Sequence, residues 1–305
     1  MTWVPQHPSL RIYKPQITRL SARLSSHQQN PRFAQTTLKR ILTSFLVPSD
    51  PPHIVYASHL AYINSLSSSS FLTEDLPKSS NFRALGTIRD LHELATNNGH
   101  LNTVGVLALV LELRDLVHNG FWNDVGILLQ KVESALTLKF ASEPVDPETV
   151  MSPRVMSNLE KVLAIHVLII GVIFHTYIGD NAHANTRMKS LHDMLDGGAL
   201  DAFGPSGIVE VSFCIHPSWQ YLCWLHLKKY QIPFENPSSP SLFIQATHPR
   251  IIFAMGFLVS SVAKRDSVGR KPKRKVFATE GLVALERDAK KEVEGLWIFM
   301  GSRCQ

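Results

Sequence analysis

The sequence of 305 residues predicts an all-α protein, a tetratricopeptide-like solenoid of helical hairpins with irregular connectors. Three observations predict it. Apolar residues recur at helical spacing from Asn81 onward. Glycine turns at Asn119-Gly120 and Gly179-Asp180 separate the apolar stretches. From Val162 to Ile178 there are 17 residues without a formal charge, too many for one strand and apolar almost all round.

That last stretch opens the hairpin Leu159–Leu195, around which the chain is organised. Ser152 is expected to cap its first helix, with Pro153 at the first helical position, where a missing N–H costs nothing. Gly179 permits the reversal, and a more polar helix follows from Asn181 to Leu195 with Ala184, Met188 and Leu191 on one face. Gly171 takes the small-residue position of the first helix, Phe174 the aromatic position, and Ala184 the small residue expected to meet Gly171. One hairpin cannot cover its own apolar surface, so neighbouring hairpins must. The length is the lower edge of a membrane span, but His166, His175 and Thr176 lie inside it and no aromatic belt flanks it. A buried core helix and no membrane partner are expected.

The other elements follow in order. Residues 1–31 are basic, proline-spotted and acid-free, and read as a disordered arm; the same composition suits a mitochondrial transit peptide. Residues 32–200 are assigned to helical repeats. Pro31–Val47 and Pro52–Leu66 read as short helices, and Ser67–Ser70 as a loop-like break. A helix from Asn81 ends at Asn97-Asn98-Gly99. Thr103–Val117 and Asn123–Leu138 form the first hairpin, with Gly120 in its turn and Trp122 plugging its corner. Residues 201–247, with Pro217, Pro233, Pro237 and Pro240 and no helical period, read as an irregular insert. Residues 248–300 continue the solenoid as a hairpin: Thr247-His248-Pro249 caps a helix Arg250–Val262, and its mate starts near Lys275. Between the two lies the basic loop 264–275.

Charge is concentrated locally. Residues 1–49 carry seven Lys/Arg and no acid, residues 264–275 carry seven Lys/Arg and one acid, and the remainder has a net charge of −7. Two basic patches on an acidic body are not a uniformly basic nucleic-acid surface. Lys271-Pro272-Lys273-Arg274-Lys275 has the composition of a nuclear-localisation run. With Lys264, Arg265 and Arg270, it is expected to serve nuclear import or, more weakly, auxiliary contact with DNA phosphates.

Enzymatic motifs do not appear: there is no P-loop, GxSxG or GxGxxG, and Thr96 stands where a zincin beginning at His92-Glu93 needs its second histidine. Cys214, Cys223 and Cys304 form no CxxC pair, as expected of a reducing compartment. His166 and His175, nine residues apart, read as satisfied core histidines rather than ligands. No catalytic residue, metal or cofactor is expected.

The succession HELATNNGHLNTVGVLALVLELRDLVHNGFWNDVGILLQKVESAL, LEKVLAIHVLIIGVIFHTYIGDNAHANTRMKSLHDML and THPRIIFAMGFLVSSVAKRD resembles the helical-repeat subunit of the cohesin loader over residues 82–200 and 248–295. The resemblance rests on hairpin order, apolar pattern and the turn Gly120-Phe121-Trp122. It implies a superhelix that wraps an extended segment of the large HEAT-repeat loader subunit. Cohesin and chromatin would then be indirect partners, and the location nuclear. Family members are longer, so the chain would be a partial member, and the family has no catalytic residues to transfer. The alternative is an organellar helical-repeat protein, located in the mitochondrion, that binds RNA or a protein complex.

Overall fold

The computed structural model describes residues 11, 13–70, 79–138, 140, 156–201, 207–213, 241–245, 247–264, 276–283 and 303–304. The fold is all-α, with one small sheet. The chain divides into two compact units, one comprising Met1–Glu74, Glu210–Ile244 and Arg303–Gln305, the other Asp75–Val209 and Gln245–Ser302.

In the first unit, α1 (Tyr13–His27), α2 (Pro31–Arg40) and α3 (Pro52–Ser70) pack on one another, and a π-type turn at Ile41–Phe45 prolongs α2. Asn30 caps α2 through its side chain, with Pro31 at the first helical position. The supposed arm is therefore helical from Tyr13. It was obscured because α1 buries its small face, Pro15, Ala22 and Ser25, while Tyr13, Ile17, Leu20 and Leu24 form an exposed stripe on the opposite side. Ser67–Ser70 likewise continue α3 instead of breaking it. Ser67 turns its hydroxyl back to Ile63 O at 3.2 Å, so its side chain is satisfied within the helix.

The expected insert contains strands β1 (Ile208–Ser212) and β2 (Ser241–Gln245), which join β3 (Arg303–Cys304) in a sheet of order β1-β2-β3. Val209, Val211 and Phe213 alternate into the interior with Glu210 exposed, and Leu242 and Ile244 do so with Phe243 41% exposed. Tyr56 of α3 packs on Phe213 with ring centroids 5.4 Å apart. Residues 214–240 lie outside the described set.

The second unit holds α4 (Ser79–Asn97), a π-type turn at Leu101–Gly105, α5 (Val106–His118), α6 (Trp122–Ala135), α7 (Asn158–Tyr177), α8 (Asn181–Asp196) and α9 (Pro249–Ala263). Successive helices pack against each other from α4 to α8, and α9 lies on both α7 and α8. α6 stops at Ala135, three residues before the expected end, because Thr137 turns left-handed at φ 54°. Of the third expected hairpin, α9 and a helical stretch at 276–283 are described, and a Cβ at Gly281 would sit 3.4 Å from Phe257 Cβ of α9.

α7 has the length and hydropathy of a membrane span, yet 67% of its most apolar window is buried by the surrounding helices. Its burial is that of a core helix, with Leu163, Ala164, Ile165, Val167 and Leu168 all at 3% exposure or less. The expected cap Ser152 lies outside the described residues; Ser157 does the capping. Its hydroxyl accepts from Glu160 N at 3.3 Å while Glu160 Oε2 accepts from Ser157 N at 2.8 Å. This is a reciprocal capping box, written in the sequence as Ser157-Asn158-Leu159-Glu160.

Candidate functional site

The two hairpin corners meet. Gly120 and Gly179 adopt φ of 74° and 82°, conformations that a side chain would strain. Beyond each, the chain closes a Schellman pair: Phe121 N donates to Leu116 O at 2.9 Å, and Asp180 N to His175 O at 2.8 Å. The start of α6 thereby lies beside the end of α7. Trp122 stacks on Tyr177 at 4.5 Å with 19° between planes, and Phe174 approaches Gly126, where an added Cβ would lie 3.1 Å from the ring. Trp122 is half-buried and Tyr177 is 63% exposed, so Trp122 is not a core plug but half of a surface stack.

Gly171 provides room for a charged side chain of α8. A Cβ there would meet Arg187 Cδ at 2.8 Å and Glu133 Oε1 at 3.5 Å. The glycine seats a buried ion pair in which Arg187 Nε and Nη2 donate to the two Glu133 oxygens at 2.7 and 2.8 Å, a bidentate fork from α8 to α6. The Phe140 ring covers the guanidinium at 4.4 Å. Ala184 is buried on the same face of α8 as Met188 and Leu191, as the spacing predicts. Arg187 reaches over the glycine to its acid, so the space that a side chain at 171 would fill is taken by the ion pair.

The two histidines of α7 have different fates. His166 is a satisfied core residue: Nδ1 lies 2.8 Å from Val162 O and Nε2 lies 3.2 Å from Thr247 Oγ1. The carbonyl accepts only, so Nδ1–H donates and Nε2 accepts from the threonine hydroxyl. Burial pushes its pKa down to about 4. His175 was expected to be satisfied too, and it is not. Its Nδ1 is buried without a hydrogen-bond partner, 3.6 Å from Asp180 Oδ2. Burial, then the Arg187 cation, push its pKa down to about 4 against the opposing pull of the Asp180 carboxylate.

Asp180 caps α8, accepting from His183 N through Oδ1 at 3.1 Å, while its Oδ2 lies 2.6 Å from His183 Nδ1. The backbone donor is the main influence holding the Asp180 carboxyl below its usual range. His175, Asp180 and His183 thus bring together one ligand atom each, all within 4.8 Å, and their side chains are 12%, 33% and 49% exposed. The imidazole rings stack at 5.3 Å. Sequence reasoning missed this cluster because it sought ligands along one helix. The spacing H-x4-D-x2-H spans a turn, and the signal was a histidine in the last turn of α7 followed by Gly-Asp and a second histidine.

Of the basic-loop residues, Lys264 is described, half-buried at the end of α9 where its N–H donates to Ser260 O at 3.0 Å. Arg265, Arg270, Lys271, Lys273, Arg274 and Lys275 lie outside the described residues. Comparison with protein families, curated proteins and solved structures finds no match to this chain.

Proposed function

We infer that the chain is a non-catalytic scaffold that binds an extended segment of a large HEAT-repeat partner in a groove of its helical array and supports cohesin loading on chromatin. The observation that supports this reading is the order of antiparallel helices α4 to α8, with α9 laid on the last pair. Stacked hairpins offer one extended surface, on which an unfolded segment buries much area with modest affinity per unit area. The resemblance over residues 82–200 and 248–295 supplies the specific partner. The basic loop 264–275 serves nuclear import in this reading, with weak contact to DNA phosphates as a secondary role. The test is affinity purification of the tagged full chain with mass spectrometry. A HEAT-repeat protein of the cohesin loader, recovered in proportion to the bait, is the expected result; its absence refutes the reading.

One observation favours the organellar alternative. Residues 1–49 carry no acid, and α1 exposes an apolar stripe beside Lys14, Arg19 and Arg23, as a presequence helix does. Imaging the chain with and without residues 1–31 separates the two: mitochondrial signal that depends on this segment would replace the nuclear reading.

A further inference from the structure

We propose that His175, Asp180 and His183 bind a borderline divalent transition-metal ion of the zinc class at the α7–α8 turn, with the fourth position left to solvent. The ligand set is two imidazoles and one carboxylate, a combination that suits zinc, cobalt, nickel or copper better than the all-oxygen preference of calcium and magnesium. Metal–ligand bonds of about 2.0–2.2 Å put neighbouring ligands of a tetrahedral site about 3.3–3.6 Å apart. His175 Nδ1 stands 3.6 Å from Asp180 Oδ2, already that separation. The 2.6 Å contact from His183 Nδ1 to the same oxygen is a hydrogen bond, which lengthens by about 0.7 Å when a metal replaces its proton. His183 is half exposed, so its ring has solvent to move into, while His175 is mostly covered in the last turn of α7.

The bland account of the cluster is a capped helix start, with Asp180 serving the backbone and ring of His183. It accounts for two of the three residues. It leaves His175 Nδ1 as a buried nitrogen whose one polar neighbour is the carboxylate at 3.6 Å, an ion-pair contact too long for a good hydrogen bond. A metal ion satisfies that nitrogen and the carboxylate together. Arg187, a cation that acts on His175, is paired with Glu133, which offsets part of its repulsion of a metal ion. Bound there, the ion links the end of α7 to the start of α8 across a single turn.

The experiment uses the full chain without a histidine tag, stripped with EDTA, dialysed and titrated with Co2+ at neutral pH. The expected result is one saturable equivalent, with the intense visible bands of a tetrahedral cobalt–nitrogen site, bleached by stoichiometric Zn2+ and unaffected by excess Mg2+. His183→Ala should weaken binding by at least about 100-fold, since even outer-shell partners of a metal ligand are worth about 10–100-fold. Its circular dichroism should be unchanged, because the side chain is half exposed. His175→Gln provides the second variant and should lose the bands as well. Absence of a saturable site in the wild-type chain, or unchanged cobalt spectra in both variants, overturns the proposal. The latter result would assign the metal to others among the 14 histidines.

Discussion

Truncating Glu133 to alanine removes the acid from a pair whose side chains are 6% and 7% exposed, and leaves the Arg187 guanidinium between α6, α7 and α8 without an anion. The guanidinium would lose its two hydrogen bonds of 2.7 and 2.8 Å and keep a longer one from Nη1 to His183 O at 3.4 Å. An uncompensated buried charge of this kind costs about 3–5 kcal/mol. Removing both charges is a different matter, because the pair itself bears the desolvation cost of two ions. Glu133→Leu combined with Arg187→Met keeps much of the volume and should fall within about 1 kcal/mol of the wild type. The two single substitutions should therefore be strongly non-additive, with a coupling energy of at least about 2 kcal/mol. Denaturant unfolding followed by far-UV circular dichroism reads these differences, provided the slope with denaturant stays constant across the four proteins. Since the chain forms two units, a biphasic transition is fitted as two, and the change should appear in one. Glu133→Ala costing under about 1 kcal/mol, or a double mutant equal to the sum of the singles, would refute the assignment of this fork as a buried, mutually dependent pair.

Further outcomes follow from other residues. His166 has a folded pKa near 4 against an ordinary 6.5, so its contribution is fully present above 6.5 and is lost as pH falls towards 4. The loss is about 3 kcal/mol, and a His166→Leu variant should lack that part of the pH dependence in unfolding titrations while being less stable at neutral pH. Gly171→Ala places a methyl 2.8 Å from Arg187 Cδ and should cost about 1–3 kcal/mol by overpacking; Ala184→Leu should cost a similar amount, and unchanged melting temperatures would show that neither position is tightly packed. Thr137 holds φ 54° on an exposed surface, so Thr137→Gly should raise stability by about 1 kcal/mol, and calorimetry showing a loss would contradict the strain argument. Leu20→Ser with Leu24→Ser, at 64% and 59% exposure, should alter stability by less than about 0.5 kcal/mol each.

The sequence by itself determined the helices of the second unit and their turns. Val162–Ile178 reads as a buried helix because a long apolar run has one economical fold, and Gly120 and Gly179 mark reversals because left-handed backbone is a local property of glycine. Those forces act within a few residues, so they are legible in a line of text. The capping box at Ser157 was equally local and was passed over for the more conspicuous Ser152-Pro153. Tertiary structure decided everything that depends on partners far apart in the chain. Glu133 and Arg187 are 54 positions apart, and His166 meets Thr247 across 81. Nothing near His166 or His175 in sequence says which of them finds a hydrogen-bond partner. α1 shows the same limit from the other side, since its largest apolar residues face outward and its serine and alanine face in. Which face of a helix is buried is a property of its neighbours, and packing chooses those neighbours from the whole chain at once.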